Sequence, residues 1–407
     1  MNWENGTWES PGAADPVADI IIAGDWAPIR EFSDIVLADP EAVYGDLLPV
    51  MKNCDLRMVN LECPLVDTGT PVHKSGTVLK GVSDHIHGLT TVPFEVVTLG
   101  NNHVFDYGID AFTQTLDLLG RNGIQSTGAG MTVTEAEHPL LITVKGVRIG
   151  IISFSEGEDL SAAADGVPGV LGWEVERVIE RIREIRSQVH VVIVICHAGV
   201  EYIPFPPPYL AEALKQIAAS GADLVIGHHP HVPQGVQIHK HVPICYSLGN
   251  FVFFQPVDLS YRKLGYLVKA GLSTDGVSTI QIMPYKIGSD RLTLLKDNNL
   301  RRMLKKLDTI SAPLTDKGGI DDTWHGFLKY YGTEGFKNEI FGIMDRFEND
   351  TRKAAAMFRN RLTTLQHFHH LKDLMTRIID GTLDDAPEWA VAEVDEYFNR
   401  KVVEGLP

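Results

Sequence analysis

This sequence has little of what would mark it as a thiol, membrane or nucleic-acid protein. Its four cysteines, Cys54, Cys63, Cys196 and Cys245, form no Cys-x-x-Cys pair. That excludes a thiolate zinc ribbon or a disulfide framework, and it predicts reduced, buried thiols. No apolar run approaches the roughly 20 residues needed to span a bilayer. Residues 1–12 are polar and lack the basic-then-apolar layout of an export signal. The expectation is a cytoplasmic protein with no membrane span. Positive charge is also scarce: 36 Lys and Arg stand against 53 Asp and Glu, a net charge of −17. A nucleic-acid binder needs a basic face, so that class is excluded. An anionic substrate is not, because bound divalent cations can dominate the local field. Internal repeats and low-complexity tracts are absent too.

What the chain does have is 407 residues, 44% of them apolar, ordinary for a globular protein of two or three domains. Five of its apolar runs stop on a metal-type ligand. Ile20-Ile21-Ile22-Ala23-Gly24 ends on Asp25, and the run from Leu56 to Leu61 ends on Glu62. Val96 to Gly100 ends on Asn101-Asn102-His103, Val191 to Cys196 on His197, and Leu224 to Gly227 on His228-His229-Pro230-His231. Continuous Val/Ile/Leu runs are the mark of strands buried on both faces in an α/β sheet. Ligands collect beyond the carboxyl ends of such strands. Cys196 neighbours His197, but adjacent strand residues point to opposite faces, so it is not expected to share a site with it.

From 18 to about 240 the pattern alternates strand and helix. Helices are predicted near 41–52, 83–89, 109–122, 173–186 and 209–219, and a β-hairpin over 140–144 and 147–154. Residues 235–287 read as β-rich, which predicts a second sheet packed on the first. The proline-rich segment 203–208 is expected to stiffen a pocket wall. Beyond about 295 the pattern is helical. The predicted organisation is a flexible tail over 1–17, one domain over 18–290 and a helical region over 291–407. That last region is a candidate pocket cover or homo-oligomer interface. His367 and His370 share a helix face there and read as solvated.

Taken as chemistry, Asp25, Glu62, Asn102, His103, His197, His229 and His231 combine carboxylate, carboxamide and imidazole without thiolate. That set suits Mn, Fe or Zn. One or two such cations are expected; two held about 4 Å apart would clamp an anionic substrate and bring the pKa of a shared water to roughly 7. Each residue alone has a plainer reading, as a cap, a turn residue or a hydrogen-bonded core histidine. The Gly-His-His-Pro-His segment is the hardest to explain that way.

Gly24-Asp25, Asn60-Leu61-Glu62, Asn101-Asn102-His103 with Asp106-Tyr107-Gly108, His197 to Tyr202, Gly227 to Val232 and Tyr246 to Phe251 occur in order. Together they resemble the CapA-type poly-γ-glutamate capsule synthesis family, a branch of the calcineurin-like metallophosphoesterases. The resemblance covers residues 18–290. It implies an α/β fold, a four-layer α/β/β/α metallophosphoesterase-like sandwich, with the helical region appended. It also implies that Asp25, Glu62 and His231 hold a first metal, with Glu62 bridging, and that Asn102, His197 and His229 hold a second. His103 would be the proton donor, and Asn60, Lys74, Glu201, His228 and Asn250 would line the substrate pocket. Where that superfamily has Asp-x-His, this chain has Asp25-Trp26-Ala27, so the first position lacks one imidazole. The implied function is metal-dependent hydrolysis of a phosphoester or a γ-glutamyl-type amide in an anionic substrate. The alternative is a non-catalytic accessory that binds anionic polymer in capsule synthesis.

Overall fold

Along the Ala18–Trp26 strand, Ile20 and Ile22 enter one core while Ile21 and Ala23 enter another. That is the period-2 consequence of a strand covered on both faces. The computed structural model describes residues 1–405. Its first sheet has eight strands, in the order Thr7–Glu9, Gly276–Ile287, Leu264–Ser273, Ala18–Trp26, Leu56–Leu61, Val96–Thr98 and Gln125–Thr127, with Leu292–Leu294 beside Gly276–Ile287. The second has six, in the order Val236–His239, Val242–Cys245, Leu224–His228, Val191–His197, Val147–Ser155 and Leu140–Val144. The strands that end on the polar residues are parallel to one another within each sheet, so their carboxyl ends gather at one edge.

Four layers follow from where the apolar side chains go. Between the sheets, Ile20, Ile22 and Met58 pack with Ile149, Ile151, Ile193 and Ile226. Outside the first sheet, Ile21 and Val59 meet Phe32, Leu89 and Phe112 of the Glu31–Ala38, Ile86–Thr91 and Gly108–Arg121 helices. Outside the second, Val192 and Val194 meet Val178, Ile182, Leu214 and Ile217 of the Val175–Ile185 and Pro208–Ala219 helices. Each such side chain contributes about 1.5–3 kcal/mol on burial. Cys196 sits in this outer core, on the far face of its strand from His197. All four cysteines are free.

Several expectations need correction. Residues 235–287 do not form the second sheet. The hairpin of Val236–His239 and Val242–Cys245 extends the Leu224–His228 side, whereas Leu264–Ser273 and Gly276–Ile287 join Ala18–Trp26 in the first sheet. Hairpin turns fix local pairing; they do not say which sheet edge the hairpin joins. The helix over 41–52 is broken into Ala42–Leu47 and Leu48–Lys52, with Gly45 at φ 51°. Within 1–17, expected as a flexible tail, Thr7–Glu9 pairs antiparallel with residues 279–281.

The helical region comprises Asp297–Thr315, Gly319–Asn349 (kinked at Gly332), Thr351–Thr363, Leu365–Ile379 and Glu388–Asn399. His370 is not solvated: its ring packs on Trp324, Phe327 and Tyr331 and is 6% exposed. The Leu365–Ile379 helix turns that face onto Gly319–Asn349, a contact between helices that no single helix pattern declares. The segment 203–208 does not wall the pocket either; Ile203 packs beneath the helical region with Trp324 and Leu328. Among the described residues, no helix is long and apolar enough to cross a membrane.

Candidate metal centre

A bulge starts the site. The pairing of Ala18–Trp26 with Leu56–Leu61 slips between Ala23 and Asp25, and such a slip re-aims the next side chain. The bulged residue has to be glycine, since a Cβ on Gly24 would lie 2.1 Å from the Gly249 carbonyl oxygen. The loop carrying Gly249 stitches the sheets together. Asp25 N–H donates to the Gly249 carbonyl at 3.3 Å, and Phe251 N–H donates to the Asp25 carbonyl at 2.9 Å. Asp25, from the first sheet, thereby faces the histidines of the second. On that side His229 and His231 have φ of 98° and 57°, strained for non-glycine residues at about 1–3 kcal/mol each.

The side chains converge. His197 Nε2 lies 3.0 Å from Asn102 Oδ1, 3.2 Å from His229 Nδ1 and 3.4 Å from Glu62 Oε1. Donors bound at 2.0–2.2 Å to a tetrahedral ion stand about 3.3–3.6 Å apart, and these three contacts approach that spacing. Opposite it, His231 Nε2 is 3.7 Å from Glu62 Oε1, and His231 Nδ1 is 3.4 Å from Asp25 Oδ2. Ligand atoms of Glu62, His229 and His231 all lie within 4.8 Å of one another. These three form a candidate metal-binding triad. Four buried atoms here lack any hydrogen-bond partner: Asp25 Oδ2, both carboxylate oxygens of Glu62, and His229 Nε2.

The electrostatics hold Asp25, His197 and His229 in the form that binds a cation and move Glu62 and His231 toward their protonated forms. Burial pushes Asp25 up, but the hydrogen bond from His228 and the nearby imidazole of His231 outweigh it and hold the carboxyl well below its usual range. Burial, then the charge of Asp25, pushes Glu62 well above its range. Burial lowers His197, helped by His229, and it lowers His229 against the pull of Glu158 and Glu201. Both rings are thus kept in the neutral form that ligates metals. Burial also pulls on His231, but Glu62 and Asp25 carry it up to about 10.

The residues expected to line the pocket separate into two groups. Asn60, His228 and Asn250 lie behind the cluster, closed to solvent. Asn60 Nδ2 donates to Asp25 Oδ1 at 2.8 Å, His228 Nδ1 is 2.9 Å from that same oxygen, and Asn250 Oδ1 is 2.8 Å from His231 Nδ1. Lys74 and Glu201 do face a cavity of about 220 Å³, together with Arg30, Asn102, His103 and His231. Lys74 is also tied down: its ammonium is 2.8 Å from Asp106 Oδ1 and donates to the Asn102 carbonyl at 2.8 Å. His103 Nδ1 lies 2.7 Å from Asp106 Oδ2 and 3.3 Å from Lys74 Nζ. The shorter contact fixes the ring, with Nδ1–H donating to Asp106 and Nε2 left for the cavity.

Three residues at this site escape the sequence reading. Asp106 stands in the motif, three residues after His103, but nothing local assigns it a part. Glu158 follows the Val147–Ser155 strand, a sixth apolar run ending at the same sheet edge, and its Oε2 accepts from Asn102 Nδ2 at 2.6 Å. Asn360 Nδ2 donates to Glu158 Oε1 at 2.9 Å from the helical region, and nothing in the sequence marks it.

Known proteins bear on this arrangement. The chain is 26% identical over 265 residues to the PGA biosynthesis protein CapA of Bacillus subtilis (strain 168), covering 64% of this chain and 69% of that one. It is 28% identical over 287 residues to the capsule biosynthesis protein CapA of Bacillus anthracis, covering 68% and 69%. Among solved structures, a 5'-nucleotidase precursor from Thermus thermophilus matches with a TM-score of 0.41 at 13% identity, covering 71% of this chain and 57% of that one. That likeness is too distant to bear on chemistry. The family of the bacterial capsule synthesis protein PGA_cap matches residues 19–255, more than half of the sequence and all of the strand-end ligands, and the chain belongs to that family.

Proposed function

We propose that this protein is a metal-dependent hydrolase that cleaves a phosphoester or a γ-glutamyl-type amide in an anionic substrate. The supporting observation is the set of buried atoms without partners, Asp25 Oδ2, Glu62 Oε1 and Oε2, and His229 Nε2. A buried polar atom left unpaired costs about 1–3 kcal/mol, and more if charged. Cations bound among Asp25, Glu62, His229 and His231 would account for such unpaired atoms. Asp25, Glu62 and His231 would hold one, and Glu62, Asn102, His197 and His229 a second, with Mn, Fe or Zn the ions that suit these donors.

When bound, such a cation polarises the electrophile and makes water ionisable near neutral pH. The chain's own groups do the rest. Asn250 fixes His231 through Nδ1 and so leaves Nε2 toward Glu62, the usual second-layer support of a ligating histidine. Asn60 and His228 occupy Asp25 Oδ1 and turn Oδ2 to the cluster. As an imidazolium, with Nδ1–H donating to Asp106, His103 would give the proton on Nε2 to the departing group. Arg30 and Lys74 stand on the cavity wall beside the carboxylates of Glu158, Asp159 and Glu201, and they are the groups there that would meet an anionic substrate.

A panel of phosphoesters and γ-glutamyl amides, assayed with Mn, Fe or Zn, tests the reading. Turnover that depends on metal and on His103 supports it. The capsule-biosynthesis names of the two relatives favour one second reading, a non-catalytic accessory that holds anionic polymer. Metal-dependent binding of poly-γ-glutamate without cleavage of any substrate would select it.

A further inference from the structure

Asn102 offers its amide oxygen, and not its NH₂, to the ligand cluster, and a chain of hydrogen bonds determines that choice. The two ends of a carboxamide are nearly equal in shape, so only their partners orient it. Asn102 Oδ1 faces His197 Nε2 at 3.0 Å, and Asn102 Nδ2 donates to Glu158 Oε2 at 2.6 Å. The other Glu158 oxygen accepts from Asn360 Nδ2 at 2.9 Å. Asn360 cannot turn round. Its Oδ1 accepts the Asp159 backbone N–H at 3.2 Å and the Thr364 hydroxyl, and it is fully buried.

We infer that Glu158, held by Asn360 of the Thr351–Thr363 helix, is a positioning residue that aims the Asn102 oxygen at the metal position and makes the helical region part of the centre. The inference rests on the reading of Asn102 as a ligand. Glu158 does this because, within this chain of bonds, it alone has two acceptors and no donor, so an NH₂ must point at it from each side. The same helix clamps the neighbouring loop. Lys353 Nζ donates to the carbonyls of Lys74 and Gly76 at 3.1 and 2.5 Å, and the Asp159 carboxylate accepts Ser75 N–H at 2.9 Å and Ser75 Oγ–H at 2.6 Å.

The polarity of this chain of bonds gives an unusual test. Glu158→Gln keeps the shape but replaces one acceptor by a donor. Since Asn360 is fixed, the new NH₂ faces Asn102 and turns that amide round, so it shows a donor to the cation. Mn²⁺ affinity measured by titration calorimetry should fall about 10–100-fold, the usual cost of losing second-layer support. Asn360→Asp alone sets two carboxylates face to face and should weaken binding likewise. Combined, the changes restore a consistent polarity: the introduced aspartate accepts from both Asp159 N–H and the glutamine, whose oxygen then accepts from Asn102. The double variant should recover wild-type affinity. Circular dichroism and melting controls report folding, and if one single variant does not fold, the other and the double carry the test.

Wild-type affinity in Glu158→Gln, or a double variant as weak as the singles, overturns the inference while leaving the metal reading intact. A wild-type protein that binds no Mn²⁺, Fe²⁺ or Zn²⁺ overturns the metal reading and this inference with it.

Discussion

His229 Nδ1 stands 3.2 Å from His197 Nε2, and Asn102 Oδ1 stands 3.0 Å from that same His197 nitrogen. Burial lowers the pKa of both rings, so two neutral imidazoles face each other. One proton on His197 Nε2 can satisfy Asn102 or His229, but not both at full strength. A cation held at the centre would relieve this competition and take up the Glu62 oxygens as well.

Metal removal should therefore cost stability. With Mn²⁺ at 100 times its dissociation constant, the native state gains about 2.7 kcal/mol over the metal-free form. Melting with Mn²⁺ and with a chelator should differ accordingly, and identical melting curves would contradict the bound cation.

Glu62 should act with opposite sign in the two forms. Without metal, burial and Asp25 hold its folded pKa well above the ordinary 4.5. A carboxyl raised on folding adds its full stability only below its unfolded pKa, and loses it as pH climbs toward the folded value. The contribution of Glu62 to the stability of the metal-free protein should thus fall from pH 4.5 upward. Glu62→Gln should flatten that slope and raise the metal-free melting temperature near pH 7, while abolishing the gain from Mn²⁺. A lower metal-free melting temperature in the variant would refute the argument.

His103→Ala should lower turnover on the best substrate by about 10²–10⁴, the typical share of a general acid. Metal content should not change, because His103 is not among the donors of the cluster. Equal turnover in variant and wild type would remove His103 from the mechanism.

The helical region carries its own pH dependence. Burial, opposed in part by Glu339, takes His370 down to about 4, against an unfolded value near 6.5. Above 6.5 the ring is neutral folded and unfolded, and the stability is fully present. As pH falls from 6.5 to 4 the unfolded chain binds the proton first, and stability drops by on the order of 3 kcal/mol. His370→Phe removes this titration, so urea unfolding at pH 7 and pH 4.5 should show a smaller drop in the variant. The same drop in both would place the titration elsewhere.

The strand-end ligands are legible in the sequence because each is local. A continuous Val/Ile run declares a strand covered on both faces, and the residue after it marks the sheet edge. Asp25, Glu62, Asn102, His197, His229 and His231 all stand out that way, and the structure brings them together. The layers behind them are less legible. Asn60, His228 and Asn250 are expected in the pocket, but strand alternation and the bulge at Gly24 put them at the backs of the ligands. Asn360 lies 258 positions after Asn102 in the numbering, in a helix whose pattern gives no hint of its neighbour. The division of residues 235–287 between two sheets is hidden for a related reason: hairpins reveal their own turns, and the choice of sheet edge depends on packing far away along the chain.

Elemental analysis of purified wild type and His229→Ala, both prepared with Mn, Fe and Zn supplied, tests the centre most directly. The geometry predicts near-stoichiometric metal in the wild type and its loss in the variant, with circular dichroism showing both chains folded. Wild type without metal, or equal metal in the two proteins, would contradict it.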